Sequence, residues 1–245
     1  MCGRFTLHDT PEEIIASLDG LDIDVDGAGL EPLEPCYNVA PTIYTPTVAG
    51  GETPTAGRRR WGLVPHWAKD PAIGNRMINA RSETVAEKPA FRNLVAKKRC
   101  IVPANGYYEW KKHQAPGGGR SGKIPYYIRS PQHRVLWFAG LHDNWFSADD
   151  KRLDTYTIIT TRPAAAVADI HHRMPVILPR DGIEQWLRPD RGDQAGALAL
   201  LQPYNGELEA YAVSQMVNSP RNNSPLCMAP AAAAADADLL PGRSR

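Results

Sequence analysis

Residues 99–110 read RCIVPANGYYEW, and two runs within them favour β-strands. Residues 100–102 and 107–110 are rich in β-branched and aromatic side chains, which are enriched in strands. Residues 38–64 alternate short β-branched runs with proline and glycine, a pattern typical of strands joined by turns. Further strands are predicted at residues 125–128, 135–141, 155–161 and 208–213.

Helices are few, and they do not alternate regularly with the strands. Residues 10–18 begin with a threonine cap, a proline and two acidic residues, which is a typical helix start. Residues 181–187 and 193–201 are also expected to be helical, and residues 81–93 to combine a loop with a helix. This order disfavours a doubly wound parallel sheet. We predict an α+β single domain of mainly antiparallel strands, forming a barrel-like pair of sheets with peripheral helices.

Two segments are expected to lack regular structure. The glycine-rich residues 113–123 are predicted to form a hairpin loop. Residues 117–123 nearly match a P-loop, but Ile124 stands where that motif requires serine or threonine. The alanine-rich residues 229–245 are predicted to be a disordered tail, so the domain is expected to span residues 1–228.

Composition narrows the class of protein. The 245 residues include 28 Lys and Arg against 27 Asp and Glu, so the chain is not globally basic like a histone. Positive charge is clustered at residues 58–60, 97–99 and 111–112, which leaves room for a local phosphate-binding groove. We find no membrane-spanning apolar run and no secretory signal. The four cysteines lack zinc-site spacing and favour a reduced, cytoplasmic protein, and no metal or cofactor is expected.

Cys2 follows the initiator Met1 directly. If Met1 is trimmed, Cys2 carries an α-amine beside its thiol, and an α-amine has a pKa of roughly 7.7–8.0, so part of it is uncharged near neutral pH. Such a residue can attack an aldehyde through nitrogen to form an imine, and then close through sulfur to a five-membered thiazolidine. A cysteine without function at a frayed terminus is the alternative for this residue taken alone.

Two further motifs carry groups suited to proton transfer. Glu109 lies between aromatic residues in a predicted strand, and apolar surroundings raise the pKa of a carboxyl group. A salt-bridged strand glutamate is the alternative. His171 lies in residues 170–175, IHHRMP, and an unperturbed histidine titrates near neutral pH, although single histidines are often structural.

Two more motifs suggest a nucleic-acid surface. Asn79, Arg81 and Glu83 alternate, so in an extended chain all three share one face that could hold a phosphate or a nucleophile. Trp61 and Trp67 lie beside basic residues, a combination that stacks bases along a phosphate track, although Trp61 also suits a core position.

The sequence closely resembles the SOS-response-associated peptidase (SRAP) family from residue 2 to about residue 225. Eight motifs in the family's order carry this resemblance: CGRF at residues 2–5, YNVAPT at 37–42, WGLVPHW at 61–67, NARSET at 79–84, RCIVP at 99–103, GYYEW at 106–110, AGL at 139–141 and HHRMP at 171–175.

The resemblance implies a compact α+β domain with a positively charged channel for single-stranded DNA. It implies covalent capture of abasic sites, with Cys2 as the nucleophile, Asn79 orienting the reacting centre, and Glu109 and His171 as acid and base. His171 rather than His172 matches the family's His-x-Arg-Met-Pro motif. DNA contacts are implied for Arg4, Asn38, Trp67, Arg81 and Arg173.

The implied partner is single-stranded DNA containing abasic sites, bound by a cytoplasmic monomer that is nucleoid-associated if bacterial. The activity resembles the imine chemistry of a lyase, and any peptidase activity would be limited to self-processing. Two other classes remain open. Glutamine amidotransferases also begin Met-Cys-Gly and use the N-terminal amine as a base. A non-covalent single-stranded DNA-binding module with an inert Cys2 is the second.

Overall fold

β-Strands dominate the computed structural model, which describes residues 2–21, 23, 25, 29–30, 33–113, 122–188 and 193–231. The strands are β1 Phe5–Leu7, β2 Cys36–Val39, β3 Tyr44–Ala49, β4 Thr55–Trp61, β5 Asn79–Arg81, β6 Arg99–Ala104, β7 Gly106–His113, β8 Gly122–Arg129, β9 Leu136–Phe146, β10 Arg152–Thr161, β11 Met174–Pro175 and β12 Glu209–Ala212. The α-helices are α1 Pro11–Ala16, α2 Arg92–Lys97, α3 Arg180–Leu187 and α4 Gln194–Ala199. Short 3-10 helices lie at Pro71–Arg76, Ala165–Val167, Gln215–Asn218 and Pro225–Cys227.

The strands form an open sheet and a barrel. The open sheet is five-stranded, in the order β12-β8-β7-β1-β2, and all of its pairings are antiparallel. In the second sheet β10, β4, β3, β6 and β9 follow one another, and β9 pairs again with β10, which closes a ring. Short β5 and β11 extend this barrel by pairing with β10.

The predicted fold class is confirmed: the protein is an α+β single domain with a barrel-like pair of sheets. Two pairings depart from the antiparallel rule, because β4 and β5 both run parallel to β10. Long stretches of chain separate these strands, and a parallel pair needs such a long connection.

An aromatic cluster joins the open sheet to the barrel. Phe5 on β1 lies 5.2 Å from Trp61 and 6.2 Å from Phe138, measured between ring centroids. Tyr107 on β7 lies 6.1 Å from Phe138. All four side chains are fully buried, and aromatic pairs at such distances add stability beyond their area burial. The cluster fixes β1, and with it the N-terminal residues, against the barrel.

Local signals in the sequence located most of the elements. Thr10 caps α1 in a capping box with Glu13, as the opening threonine, proline and acidic residues predicted. The helix expected within residues 81–93 begins only at Arg92, while short β1, β5 and β11 escaped prediction.

The two segments expected to be irregular are only partly described. The β7–β8 hairpin pairs as far as His113 and Gly122, so strand residues occupy both ends of the predicted loop. Residues 114–121 and 232–245 lie outside the described residues, and the domain boundary at residue 228 stays a prediction. No helix within the described residues has the length and apolar character that crossing a membrane requires.

Candidate active site

Four sequence-predicted residues meet where β1 approaches the barrel. Cys2 lies just before β1, and Glu109 lies on the neighbouring β7, where the backbone N–H of Tyr108 donates to the Arg4 carbonyl at 3.0 Å. Asn79 on β5 donates its amide to the Cys2 carbonyl at 2.8 Å. His171, in the loop before β11, has Nδ1 3.6 Å from Oε1 of Glu109. Strands β5 and β7, the segment before β1 and one loop therefore bring Cys2, Asn79, Glu109 and His171 together.

The Cys2 thiol is fully buried, and Met1 lies outside the described residues. Burial raises the pKa of this thiol well above its usual range, and the nearby Glu109 carboxylate adds to the shift. The thiol is therefore held in its neutral form at physiological pH. A neutral thiol is a weak nucleophile, so an N-terminal amine at this position would react with an electrophile first.

Asn79 has a spare acceptor at the site. Its amide nitrogen is bonded to the Cys2 carbonyl, while its Oδ1 is buried and has no hydrogen-bond partner in the described part of the chain. A buried acceptor without a partner is uncommon in native proteins. Asn79 can therefore accept a hydrogen bond from a reacting hydroxyl or amine next to Cys2.

Glu109 and His171 have pKa values that differ from the sequence-based expectation. Burial raises the pKa of the Glu109 carboxyl to about 7, as the aromatic neighbours predicted. Burial lowers the pKa of the His171 imidazole to about 4. The expectation that His171 titrates near neutral pH is therefore wrong, because partial burial disfavours the imidazolium. Glu109 is the group of this pair that changes protonation near pH 7.

The backbone around Arg173 sets the state of the His171 ring. The Arg173 N–H lies 3.2 Å from Nδ1 of His171. When Nδ1 accepts this hydrogen bond, the neutral ring carries its proton on Nε2. In the other tautomer Nδ1–H donates to the Arg173 carbonyl, also at 3.2 Å, and Nε2 is left free to accept a proton from a bound group.

A cleft of about 600 Å³ adjoins the site, and we call it the Trp67 cleft. Asn79 and Arg81 of β5 line it, together with Trp67, Lys88 and Phe91. Trp67 is 54% exposed, and the Arg81 side chain is exposed without a hydrogen bond to another described residue. The cleft therefore offers the Trp67 and Phe91 rings beside the Arg81 and Lys88 cations, and Asn79 links it to Cys2.

The sequence analysis did not select Lys88 and Phe91 as candidate site residues. The sequence feature that could have identified them is a basic and an aromatic residue shortly after the motif at residues 79–84. Trp61, by contrast, is fully buried and donates its indole N–H to the Ile78 carbonyl at 2.8 Å, so it belongs to the core.

Gly62 directs the chain from β4 toward Trp67. Its φ is +119°, and a Cβ there would lie 2.6 Å from the carbonyl oxygen of Gly74. No side chain fits at this distance, and the left-handed backbone also favours glycine. The close approach of residues 62 and 74 thus fixes the loop that presents Trp67.

His66 is a third residue that the sequence analysis did not select. Its side chain is exposed beside Trp67, and its Nδ1 lies 3.1 Å from Oδ2 of the buried Asp143. Lys98 donates to Oδ1 of the same carboxylate at 2.7 Å. Asp143 therefore orients the imidazole and leaves Nε2 facing outward from the same loop as Trp67.

The side chains of Asn38 and Arg4 make hydrogen bonds within the protein. Asn38 is buried, and its amide donates to the carbonyls of Ser219 and Asn222, both at 2.9 Å. Its Oδ1 accepts from the Arg4 guanidinium at 2.7 Å, and Arg4 also donates to the Val217 carbonyl at 2.8 Å. The implied contact between Asn38 and DNA stays a prediction. Within the described residues the Asn38 amide bonds to the protein itself and positions Arg4.

Arg173 is likewise engaged within the protein. Its guanidinium makes a bidentate ion pair with Glu83, at 2.6 and 3.0 Å, and donates to the Thr160 carbonyl. The alternating pattern predicted that Glu83 shares one face with Asn79 and Arg81. Glu83 lies beyond the end of β5, however, and it does not line the Trp67 cleft as the other two do. Arg173 therefore fastens the loop of His171 to the loop after β5, and its implied DNA contact stays a prediction.

Arg173→Ala is expected to lower the free energy of unfolding by about 1–3 kcal/mol, since it removes a bidentate ion pair and a backbone hydrogen bond from a largely buried guanidinium. Arg81→Ala, which removes no described hydrogen bond, should leave the stability unchanged within about 0.5 kcal/mol. Urea unfolding of both variants tests this difference. Equal stability of the two would contradict a structural role for Arg173.

Some arginines of the basic clusters in the sequence also make their hydrogen bonds within the protein. Arg99 is buried and donates to the carbonyls of Trp186 and Val95, at 2.6 and 3.1 Å. Arg59 donates to the Thr47 hydroxyl at 2.5 Å. These two arginines therefore stabilise the barrel and are not part of a phosphate-binding surface.

Comparison with known proteins places the chain in a family. The family model described as SOS response associated peptidase (SRAP) matches residues 1–220. The abasic site processing protein YoqW of Bacillus subtilis is 44% identical over 227 residues, which covers 92% of this chain and 97% of that protein. The abasic site processing protein HMCES of Rattus norvegicus is 35% identical over 201 residues, 70% of this chain and 56% of that protein.

Solved structures share the fold. A crystal structure of a protein from Bacteroides thetaiotaomicron aligns with a TM-score of 0.79 at 29% identity, covering 94% of this chain and 99% of that one. A second, from Bordetella bronchiseptica, has a TM-score of 0.68 at 25% identity and covers 87% of this chain and 100% of that one.

Proposed function

Because the chain belongs to the SOS response associated peptidase (SRAP) family, we propose that it recognises abasic sites in single-stranded DNA and captures them covalently through Cys2. The observation that carries this proposal is the meeting of Cys2, Asn79, Glu109 and His171 beside the Trp67 cleft. The relatives named abasic site processing proteins support the choice of substrate.

The proposed reaction begins with opening of the abasic deoxyribose. The sugar is mostly a closed hemiacetal. Neutral His171 removes its hydroxyl proton, the ring C–O bond breaks to give the aldehyde, and the proton is returned to the released ring oxygen, which becomes a hydroxyl. After Met1 is removed, the Cys2 amine attacks the aldehyde carbon and forms a carbinolamine. Asn79 Oδ1 accepts a hydrogen bond at this centre, which holds the reacting group in place.

Glu109 then acts as the acid. Its pKa of about 7 keeps much of the carboxyl protonated at neutral pH, so it can give a proton to the departing water as the imine forms. The Cys2 sulfur adds to the imine carbon, and the thiol proton passes to the nitrogen. Aldehyde and aminothiol thus combine into a thiazolidine with loss of one water, and no redox partner is needed.

The DNA strand is proposed to run through the Trp67 cleft. Trp67 and Phe91 offer faces on which bases stack, and Arg81 and Lys88 offer charge to phosphates. None of these side chains needs to read a base edge, so binding should be independent of sequence. An abasic site also suits this path for the DNA, because a missing base leaves the sugar accessible to Cys2.

Incubation with oligonucleotides tests the function directly. Protein lacking Met1 should form a product with abasic single-stranded DNA that survives a denaturing gel and has the summed mass less one water. Intact oligonucleotide should give no such band. Glutamine hydrolysis without an adduct would favour the amidohydrolase alternative, and retention only on native gels would favour a non-covalent binding module.

Arg81→Ala is expected to weaken binding to intact single strands similarly for all sequences. Loss of one phosphate contact should also reduce the slope of log affinity against log salt by about 0.7. Arg129→Ala is the matched control, because Arg129 pairs with Glu209 on the β12 edge of the open sheet. Fluorescence anisotropy at several salt concentrations measures both. An unchanged salt slope in the Arg81 variant would remove Arg81 from the DNA path.

A further inference from the structure

A second cleft, of about 490 Å³, adjoins the Trp67 cleft, and we call it the Arg76 cleft. Trp67 lines both clefts. The other walls of the Arg76 cleft come from residues 68–76, the segment that ends with the 3-10 helix Pro71–Arg76. Because Trp67 belongs to both walls, a chain molecule that leaves the Trp67 cleft past this ring enters the Arg76 cleft. The DNA path described above does not include these residues beyond Trp67.

Positive charge is in excess around the Arg76 cleft. Lys69 and Arg76 are exposed, and neither makes a hydrogen bond or an ion pair to another described residue. Among the described residues that line the cleft, Asp70 is the acidic one, and its carboxylate already caps the 3-10 helix. Arg60 adds a third cation at the rim, since its guanidinium lies 3.5 Å from Oδ1 of Asn75, which lines the cleft. Three cations against one carboxylate favour a ligand that carries negative charge.

The Arg76 cleft also carries a flat aromatic surface. The exposed Trp67 ring lies in its wall together with Ala72 and Ile73. Nucleobases stack on exposed aromatic rings, and every base has a face that allows this contact. An aromatic ring beside cations is the combination that binds single-stranded nucleic acid without reading its sequence.

A close backbone contact fixes the shape of the cleft. A Cβ on Gly74 would lie 2.7 Å from the carbonyl oxygen of Gly62, so the 3-10 helix packs directly against the residue that follows β4. The Leu63 N–H donates to the Met77 carbonyl at 3.1 Å and holds the other end of the same segment. A ligand therefore meets a wall that is already formed, and little ordering of the protein opposes its binding.

We propose that the Arg76 cleft binds the single-stranded DNA that flanks the abasic site on one side, with phosphates against Lys69 and Arg76 and a base on Trp67. Asn79 lines the Trp67 cleft and bonds to the Cys2 carbonyl, so the nucleotides nearest the lesion occupy the Trp67 cleft. The nucleotides further along the same arm of the strand then occupy the Arg76 cleft. This inference rests on the proposed function, because it extends the DNA path of that site.

Fluorescence anisotropy with a tetrahydrofuran analogue of the abasic site tests the assignment. The analogue has no aldehyde, so binding to the full chain is measured without crosslinking. Two oligonucleotides carry the analogue near the 5′ end or near the 3′ end, and each therefore has a long arm on one side of the lesion. Arg76→Ala should weaken the binding of one oligonucleotide about five- to tenfold at low salt and lower its salt slope by about 0.7. The other oligonucleotide should bind as before, and Lys69→Ala should act on the same arm as Arg76→Ala.

Lys151→Ala is the matched control. Lys151 is exposed between β9 and β10, and its side chain makes no hydrogen bond or ion pair to another described residue. This variant should bind both oligonucleotides with unchanged affinity. Crosslinking of natural abasic DNA by the unaltered protein is measured separately and reports on the proposed function alone. Whether or not that adduct forms, the proposal is overturned if Arg76→Ala binds both oligonucleotides as the unaltered protein does, or loses affinity equally for both.

Discussion

Cys2→Ala is expected to abolish the denaturant-resistant adduct with abasic single-stranded DNA. The variant keeps an α-amine after Met1 removal but has no sulfur to close the ring, so the reaction should stop at the reversible imine. Borohydride should still trap that imine, whereas the unaltered protein should give a stable adduct without reductant. Denaturing gels with and without borohydride measure both steps.

The matched control is Cys36→Ala, since Cys36 on β2 is a half-buried cysteine outside the site. This variant should crosslink at the normal rate. A protein in which a tag blocks the amine of Cys2 should form neither imine nor thiazolidine. If the tagged protein crosslinks as well as the protein that lacks Met1, the proposed chemistry is contradicted.

Glu109→Gln is expected to slow adduct formation by about 10²–10⁴-fold at saturating DNA, because a positioned acid is lost. The amide keeps the shape of the buried side chain but cannot donate the proton that the departing water needs. Affinity for intact single strands should change little, since Glu109 is buried away from solvent. Single-turnover rates and anisotropy together separate the two effects.

The pH profile gives an independent readout of Glu109. Its pKa of about 7 means that the protonated acid is depleted as the pH rises above 7, so an acid-limited rate should fall there. Glu109→Gln should lose this dependence. His171→Ala should also be slow but should keep the midpoint, because the pKa of His171 is about 4 and its ring stays neutral from pH 5 to 8.

Stability should respond to the same carboxyl group. The folded pKa of Glu109 is raised above the ordinary value of 4.5, so between about pH 4.5 and 7 the folded protein binds more protons than the unfolded chain. Its contribution to stability therefore falls as the pH rises through this window. Urea unfolding at pH 5 and pH 8 should show a smaller pH effect in Glu109→Gln. An identical dependence in both proteins would contradict the raised pKa.

The sequence by itself determined the features that depend on near neighbours along the chain. Runs of β-branched and aromatic residues located most strands, and the cap at Thr10 located the first helix, because both signals act over a few residues. The raised pKa of Glu109 was also predictable, since two aromatic residues flank it within its own strand.

Only the tertiary structure decided how the elements close and which polar groups remain available. The barrel depends on β4 running parallel to β10, a pairing between residues almost a hundred positions apart. Arg4 reaches the Val217 carbonyl and Arg173 reaches Glu83, whereas Arg81 is exposed and makes no hydrogen bond to another described residue. A long cationic side chain finds its partner across the fold, and local sequence does not encode that distance. The same packing buries His171 and moves its titration out of the neutral range, which no neighbouring residue in the sequence indicated.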